Sequence, residues 1–345
     1  MQAAVYHGKE SITIDEVPVP TIGAGEVLIE VEACTVCGVD LRTYRHGDAK
    51  IAPPRILGHE FSGRVVECTD PQAGVAVGDR VVMYIVIACG RCRYCQDGRA
   101  NLCENRTTMS YHHDGAFAKF IRIPAVAVRA KQLYKVPEHV PADHAALCEP
   151  FACVLNAHNR LGVGFRDTVA VIGAGPIGIM HAVAARLRGA RQVIMIEPSA
   201  NRLEMAKRFP IDAAVRSDGT AHLDEVKRLT DGYGPSVVIV ACGVGQAQAE
   251  ALEMAGKGAR VEFFGGLPKS KPLATLNTNH IHYKELLISG SYSEKRSDFE
   301  SAMAIMFSGR FPAAQLLTTH LPLARLCEAF PLMERGEALK VCITP

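Results

Sequence analysis

Four cysteines crowd into one short stretch of this 345-residue chain: Cys89, Cys92, Cys95 and Cys103. Four thiolates at this spacing can close a tetrahedron around one metal ion. Four protein ligands leave no position for a substrate, so such a site is structural rather than catalytic. The N-terminal run Met-Gln-Ala-Ala-Val-Tyr lacks a basic segment followed by an apolar one, so no secretory context is expected. Without that context the spacing favours zinc over disulfides. The plain alternative is four reduced thiols in a loop marked by Gly90, Gly98 and Asn101. A second constellation is dispersed. Cys37-Gly-Val-Asp40 and Gly58-His59-Glu60 stand apart, each beside apolar, strand-like residues. Together with Glu149, they could form an open zinc site of mixed sulfur, nitrogen and oxygen ligands, with Asp40 placed to hold the other ring nitrogen of His59. Singly, each has an ordinary reading: a core cysteine, a surface His-Glu pair.

A third signal is Gly173-Ala-Gly175-Pro176-Ile177-Gly178. It follows an apolar strand, opens a helix, and has Glu197 at the end of the next strand, the context that turns a glycine pattern into a dinucleotide-binding fingerprint. Gly173 permits the tight turn, Gly175 lets the backbone approach a pyrophosphate, and Gly178 lets helix and strand pack closely. The helix N-terminus would offer N–H groups to the phosphates. Glu197 would accept from the ribose hydroxyls and repel a 2′-phosphate, favouring NAD over NADP. Arg202 nearby keeps NADP open. The ordinary alternatives are a plain strand-to-helix turn and a solvated strand end.

The elements that must position these groups read as two kinds. Up to about residue 150 the chain is β-rich, with apolar runs at Val27–Ile29, Gly63–Val66 and Arg80–Met83 between Gly, Pro and Asp turns. From Thr168 to about residue 292, strands alternate with helices. The strands are Thr168–Ile172, Gln192–Ile196, Ser236–Ala241, Ala259–Phe264 and Glu285–Ser289, and helices are expected at Pro176–Ala185 and Ser199–Phe209. This alternation means a parallel, doubly wound sheet of the α/β class. The tail holds helices near Asp298–Phe307 and Leu323–Glu334 and a last strand, Leu339–Ile343. A net charge of +2 gives no electrostatic case for nucleic acid or an anionic membrane, and no apolar run is long enough to span a bilayer. Twelve cysteines fit a reducing cytoplasm.

These motifs together resemble the zinc-dependent medium-chain dehydrogenases of the sorbitol (polyol) and threonine dehydrogenase branch. The marks, spread from Met1 to Pro345, are Gly25-Glu-Val27, Cys37-Gly-x-Asp40, Gly58-His59-Glu60, Val77-Gly78-Asp79-Arg80-Val81, the four-cysteine lobe, Asp114-Gly115-Ala-Phe117-Ala, Glu149-Pro150 and the Gly173–Gly178 turn. The resemblance implies a GroES-like β-rich catalytic domain over 1–150, with its zinc lobe at about 88–104. It implies a Rossmann domain over 151–292, and a segment 293–345 that completes the catalytic domain, with the active site in the cleft between domains. It matches Cys37, His59 and Glu60 to a catalytic zinc, with Glu149 binding directly or through water and Cys148 a competing ligand. Cys242, Gly266, Leu267 and Ser291 are expected to face the nicotinamide half of the cofactor. Lys340 matches a basic position near the pyrophosphate, with a solvated lysine as its alternative.

One departure from the family stands out. Many members carry Ser or Thr two residues after the catalytic cysteine to start a proton relay, and this chain has Val39. A proton would then leave through zinc-bound water and Glu60 or Glu149, or through Tyr44, His46 or His112. The expected chemistry is hydride transfer from a secondary alcohol to NAD, with two zinc ions per chain. The expected substrate is a sugar alcohol or cyclitol, met by Tyr44, His46, His112, His113, Phe117 and Tyr292. An amino alcohol such as threonine is second. A sugar alcohol phosphate, held by Arg42, Arg45 and Arg55, is third. A zinc-free quinone reductase or a non-enzymatic role would leave the Cys37/His59/Glu60 set without purpose. The resemblance also implies a homo-oligomer, dimer or tetramer.

Overall fold

Val27–Thr35, Val-Leu-Ile-Glu-Val-Glu-Ala-Cys-Thr, is β-branched and apolar on nearly every position, and most of it is buried. Such a strand needs partners on both edges and cover on both faces. In the computed structural model, which describes residues 1–345, it is the hub of a seven-stranded sheet. One edge carries Glu60–Cys68, then Arg80–Met83, then Leu133–Lys135. On the other side, Phe120–Ile123 pairs with its first half and the final strand Lys340–Thr344 with its last two residues. Leu317–Pro322 adds in parallel to Lys340–Thr344. A three-stranded sheet, Ser11–Glu16, Gln2–Gly8 and Arg55–Ile56, supplies further core residues. This unit is Met1–Ala152 with Glu294–Pro345.

The second unit is Cys153–Ser293. Six strands lie in the order Ala213–Arg216, Gln192–Glu197, Thr168–Ile172, Val237–Val240, Arg260–Phe263 and Leu287–Ser289, every pair parallel. This 3-2-1-4-5-6 order is that of a Rossmann fold. The GroES-like unit and the doubly wound unit together make the α/β architecture expected from the sequence.

Cys37 does stand beside a strand, Val27–Thr35, and the residues after it, Gly38–His46, form a helix that the pattern did not mark. Two strands escaped the pattern. Ala213–Arg216 is four residues long with little alternation, and Leu317–Pro322 is broken by Thr, His and Pro. Both are strands because a neighbour's open edge recruits them, a tertiary cause that local pattern does not carry.

Candidate active site and metal centres

The strand hub and one helix assemble the first site. Strand Val27–Thr35 runs directly into Cys37, which sits at the N-cap of helix Gly38–His46. Asp40, in the first turn, reaches back to accept from the Cys37 N–H at 2.9 Å. His59 ends the turn before the paired strand and Glu60 begins it, with the register setting Glu60 opposite Thr35. Gly58 must be glycine. Its φ is +91°, and a Cβ there would lie 2.8 Å from Cys34 Sγ and 2.9 Å from the Phe117 ring. Gly115 closes the same corner. Backbone N–H groups of Gly115, Ala116 and Phe117 donate to Ile56, Gly58 and Leu57 at 2.7 to 2.9 Å, leaving no room for a Cβ. The Asp114–Phe117 motif is therefore a backbone clamp on the turn that aims His59.

The ligand atoms of Cys37, His59 and Glu60 all lie within 4.8 Å of one another. His59 is 5% exposed and Glu60 wholly buried. His59 Nδ1 faces Asp40 Oδ1 at 3.7 Å and makes no hydrogen bond, which leaves Nε2 as the nitrogen free of Asp40. Burial opposes charging of His59, yet the carboxylates of Asp40, Glu149 and Glu60 outweigh it and push its pKa up. Burial, then the Glu60 charge, pushes the Cys37 thiol up. A half-buried thiol, a buried imidazole and a buried carboxylate converging in this way suit a divalent cation, which would favour the thiolate.

Lys340 overturns its solvated reading. It is 2% exposed, and its ammonium is 2.8 Å from Glu60 Oε1 and 2.5 Å from Oε2. Thr35 Oγ1 also donates to Glu60 Oε2. Strands Val27–Thr35, Glu60–Cys68 and Lys340–Thr344 lie side by side and stack these three residues. The amine expected near a pyrophosphate is thus the counter-ion of the site's own carboxylate.

Other expected groups are distributed differently. Glu149, in the first turn of helix Cys148–Leu161, is buried but lies outside the Cys37 group; its carboxylate faces that of Glu294 instead. Burial, then the Glu294 charge, pushes its pKa up. Glu149 nonetheless stands near enough to the Cys37 group for its charge to act on His59. Cys148 is fully buried and outside the group, a core thiol. Tyr44 stacks on Phe330 with centroids 4.7 Å apart. Phe117 is fully buried in the core, so it shapes the turn and offers no surface to a substrate. His46 is exposed at the helix end. His112 and His113, with Arg55 and Arg122, line a surface pocket of about 420 Å³ that does not include Cys37, His59 or Glu60. Arg45 pairs with Glu334 at 2.6 Å and Arg55 with Asp114 at 3.0 Å, leaving Arg42 as the one arginine of the three without a carboxylate partner.

Sequence reasoning missed Tyr111. Its ring lies 6.4 Å from that of His59, centroid to centroid. Burial, then the neighbouring Cys37 and Asp40, pushes its pKa up. The available signal was its place just before the Asp114–Phe117 motif.

In the lobe, Cys89 and Cys95 sulfurs are 3.9 Å apart and Cys92 and Cys95 3.5 Å. A Zn–S bond of about 2.3 Å sets a tetrahedral edge near 3.8 Å; these two edges lie close to it, and all four sulfurs lie within 4.8 Å of one another. Backbone N–H groups of Arg91 and Cys92 lower the Cys89 pKa to about 6, while burial raises Cys95 to about 12.

In the second unit the glycine turn forms a cradle. Gly173 has φ +108°, and a Cβ on Gly178 would sit 1.7 Å from the Gly173 carbonyl oxygen. Gly175 caps the helix Pro176–Leu187, with Pro176 and Ile177 in its first turn. Glu197, 4% exposed, accepts from Ala174 N at 2.8 Å and from Ser199 N at 3.1 Å. Its carboxylate is locked to the glycine turn instead of standing free at the strand end. Arg202 lies in the next helix, its N–H capped by Ser199 Oγ. Cys242 and Gly265 touch closely enough that a Cβ on Gly265 would meet the Cys242 carbonyl at 2.3 Å, and Gly266 and Leu267 continue from that turn. Ser291 Oγ is buried without a partner, an orphan that suits a ligand atom. Tyr292 is half exposed.

This pair of units and sites defines a class. Residues 23–138 match the alcohol dehydrogenase GroES-like domain, and residues 176–308 match the zinc-binding dehydrogenase domain. A sorbitol dehydrogenase of Halalkalibacterium halodurans is 34% identical over 98% of this chain and 97% of its own. An L-threonine 3-dehydrogenase of Bacillus licheniformis is 31% identical over 98% and 96%. Two solved structures, each 29% identical and covering 100% of this chain and 99% of their own, superpose closely. They are a zinc-binding dehydrogenase of Sinorhizobium meliloti 1021 with NADP (TM-score 0.89) and an alcohol dehydrogenase of Escherichia coli CFT073 with NADH (TM-score 0.90). The chain belongs to the zinc-dependent medium-chain dehydrogenase family, in the branch that holds the sorbitol and threonine dehydrogenases.

Proposed function

We propose that this protein oxidises a secondary alcohol of a sugar alcohol or cyclitol to the ketone, with NAD as acceptor. The observation that carries the reading is the meeting of Cys37, His59 and Glu60 within 4.8 Å, with Lys340 as the counter-ion of Glu60. Cys37, His59 and Glu60 would hold a catalytic zinc, and Cys89, Cys92, Cys95 and Cys103 a structural one. Bound zinc supplies Lewis acidity, the property that lowers the pKa of water from about 15.7 to about 7, and the nicotinamide accepts hydride.

The chain's own residues do the rest. Asp40 faces His59 Nδ1 at 3.7 Å, the side from which a carboxylate would orient the ring, while its second oxygen holds the Cys37 backbone. Lys340 and Thr35 fix Glu60 and balance its charge. Val39 carries no proton, so proton transfer passes to other groups of the site. Gly173, Gly175 and Gly178 leave room for a pyrophosphate, and Gly266, Leu267, Cys242 and Ser291 would meet the nicotinamide half. Glu197 supports NAD, since a 2′-phosphate would be repelled by its buried charge. Domain boundaries at 1–150, 151–292 and 293–345, a homo-oligomeric assembly and a reducing, cytoplasmic setting complete the proposal. A threonine-type amino alcohol is the second reading, favoured by the threonine dehydrogenase relative.

The test is zinc per chain, by elemental analysis, and NAD reduction by the same sample over a panel of sugar alcohols, cyclitols, threonine and a sugar alcohol phosphate. Two zinc ions per chain and turnover on a polyol are expected. Turnover on threonine alone would transfer the assignment to the second reading, and no zinc would overturn both sites.

A further inference from the structure

Tyr111 is held toward the Cys37 group by a strained, fully built loop. Ser110, which precedes it, is buried at 1% exposure with φ +73°, a conformation costly for a residue with a side chain. The Thr108 carbonyl accepts from the N–H groups of Tyr111, His112 and His113 at 3.0 to 3.5 Å, which closes the turn. Thr108 is itself anchored by strand pairing with Val86. The Tyr111 ring packs on the core beside His59. Its hydroxyl makes no hydrogen bond to the protein and is not sealed away from solvent. A tyrosine fixed by its backbone and ring, with an uncommitted hydroxyl beside a ligand group, offers that hydroxyl to whatever the site binds.

We propose that the Tyr111 hydroxyl hydrogen-bonds a second hydroxyl of the substrate, next to the one being oxidised, and so selects vicinal diols and polyols over monohydric alcohols. The inference rests on the polyol reading above and deepens it. Val39, two residues after Cys37, carries no hydroxyl, so Tyr111 supplies a polar contact that this position cannot. A site that hydrogen-bonds a substrate hydroxyl discriminates against the analogue that lacks it, because the protein group is then left unpaired.

The test compares the wild type with Tyr111→Phe on 2,3-butanediol, erythritol and 2-butanol. The ratio of kcat/KM for diol over 2-butanol should fall about tenfold in the variant, chiefly through KM, with zinc content equal. An unchanged ratio overturns the proposal while leaving the dehydrogenase reading intact. Equilibrium binding gives a readout independent of turnover. The chain has no tryptophan, so the ultraviolet difference spectrum of tyrosine on adding erythritol reports directly. A difference band in the wild type that is lost in Tyr111→Phe supports the contact even if no alcohol is oxidised, which would sink the redox reading alone. No band in the wild type, or the same band in both, overturns the proposal.

Discussion

Lys340 shows how much one residue's meaning depends on what surrounds it. A lysine 2% exposed, with Glu60 wholly buried against it, is an ion pair removed from water. Burial alone would lower the lysine pKa, but the charges of Glu60 and Cys37 and the Glu60 hydrogen bond raise it instead. Removing one partner of such a pair leaves a buried charge unmatched, which costs about 3–5 kcal/mol. Lys340→Met should therefore lose roughly that much stability in denaturant unfolding, and coupling between Lys340 and Glu60 should emerge from a double-mutant cycle with Glu60→Gln. If Lys340→Met unfolds at the wild-type midpoint, the pair is not a structural anchor. The same residue-scale logic separates Cys37 from Cys148: Cys148 is a fully buried core thiol, while Cys37 is half-buried with His59 and Glu60 within reach.

At the scale of elements, the turn between strand Thr168–Ile172 and helix Pro176–Leu187 is the tightest fit in the second unit. The obstacle a Cβ on Gly178 would meet, at 1.7 Å, is the Gly173 carbonyl, a backbone atom of the turn itself. Gly178→Ala must push helix and turn apart, displacing the N–H groups that would face a pyrophosphate. Overpacking of this kind typically costs 1–3 kcal/mol, so NAD affinity by calorimetry should weaken about tenfold or more. Retained affinity would show that the turn does not carry the phosphate. A second pair of elements, helices Cys148–Leu161 and Pro176–Leu187, buries His158 against His181, Nε2 to Nδ1 at 3.2 Å with stacked rings. Burial holds both neutral, with His181 lowered to about 3. Below the unfolded value of about 6.5 the unfolded chain takes up protons that the native state refuses, so stability is full above about 6.5 and falls as pH drops toward 3. Each histidine contributes a slope of about 1.4 kcal/mol per pH unit in that window. His181→Gln should make the fall between about pH 6 and pH 4 shallower by about one proton; an unchanged slope would mean the pair does not govern acid stability.

At the scale of the whole chain, the first unit is built from both ends of the sequence. Strand Lys340–Thr344 is interior to the seven-stranded sheet, antiparallel to Val27–Thr35 on one side and parallel to Leu317–Pro322 on the other. Deleting residues 340–345 removes a central strand and the counter-ion of Glu60 together. The shortened chain should lose the Cys37 site, read as about one zinc per chain fewer than the full-length protein binds, and should expose the edge of Val27–Thr35 and aggregate. A truncated chain with full zinc and wild-type solubility would contradict the topology. No helix in the molecule is long and apolar enough to cross a membrane.

Much of this was legible in the sequence. The four-cysteine spacing, the strand–glycine–helix context of Gly173–Gly178, and strands such as Thr168–Ile172 and Arg80–Met83 follow from local rules of ligand spacing, backbone conformation and side-chain periodicity. Local order along the chain is enough to set them. Tertiary structure alone decided that Lys340 meets Glu60 across 280 residues, that Glu149 faces Glu294, that Glu197 is locked to Ala174, and that Tyr111 lies beside His59. Each of these depends on strand register or loop closure between distant segments. A charged or aromatic side chain acquires its role from the partner that desolvates it, and that partner is chosen by packing.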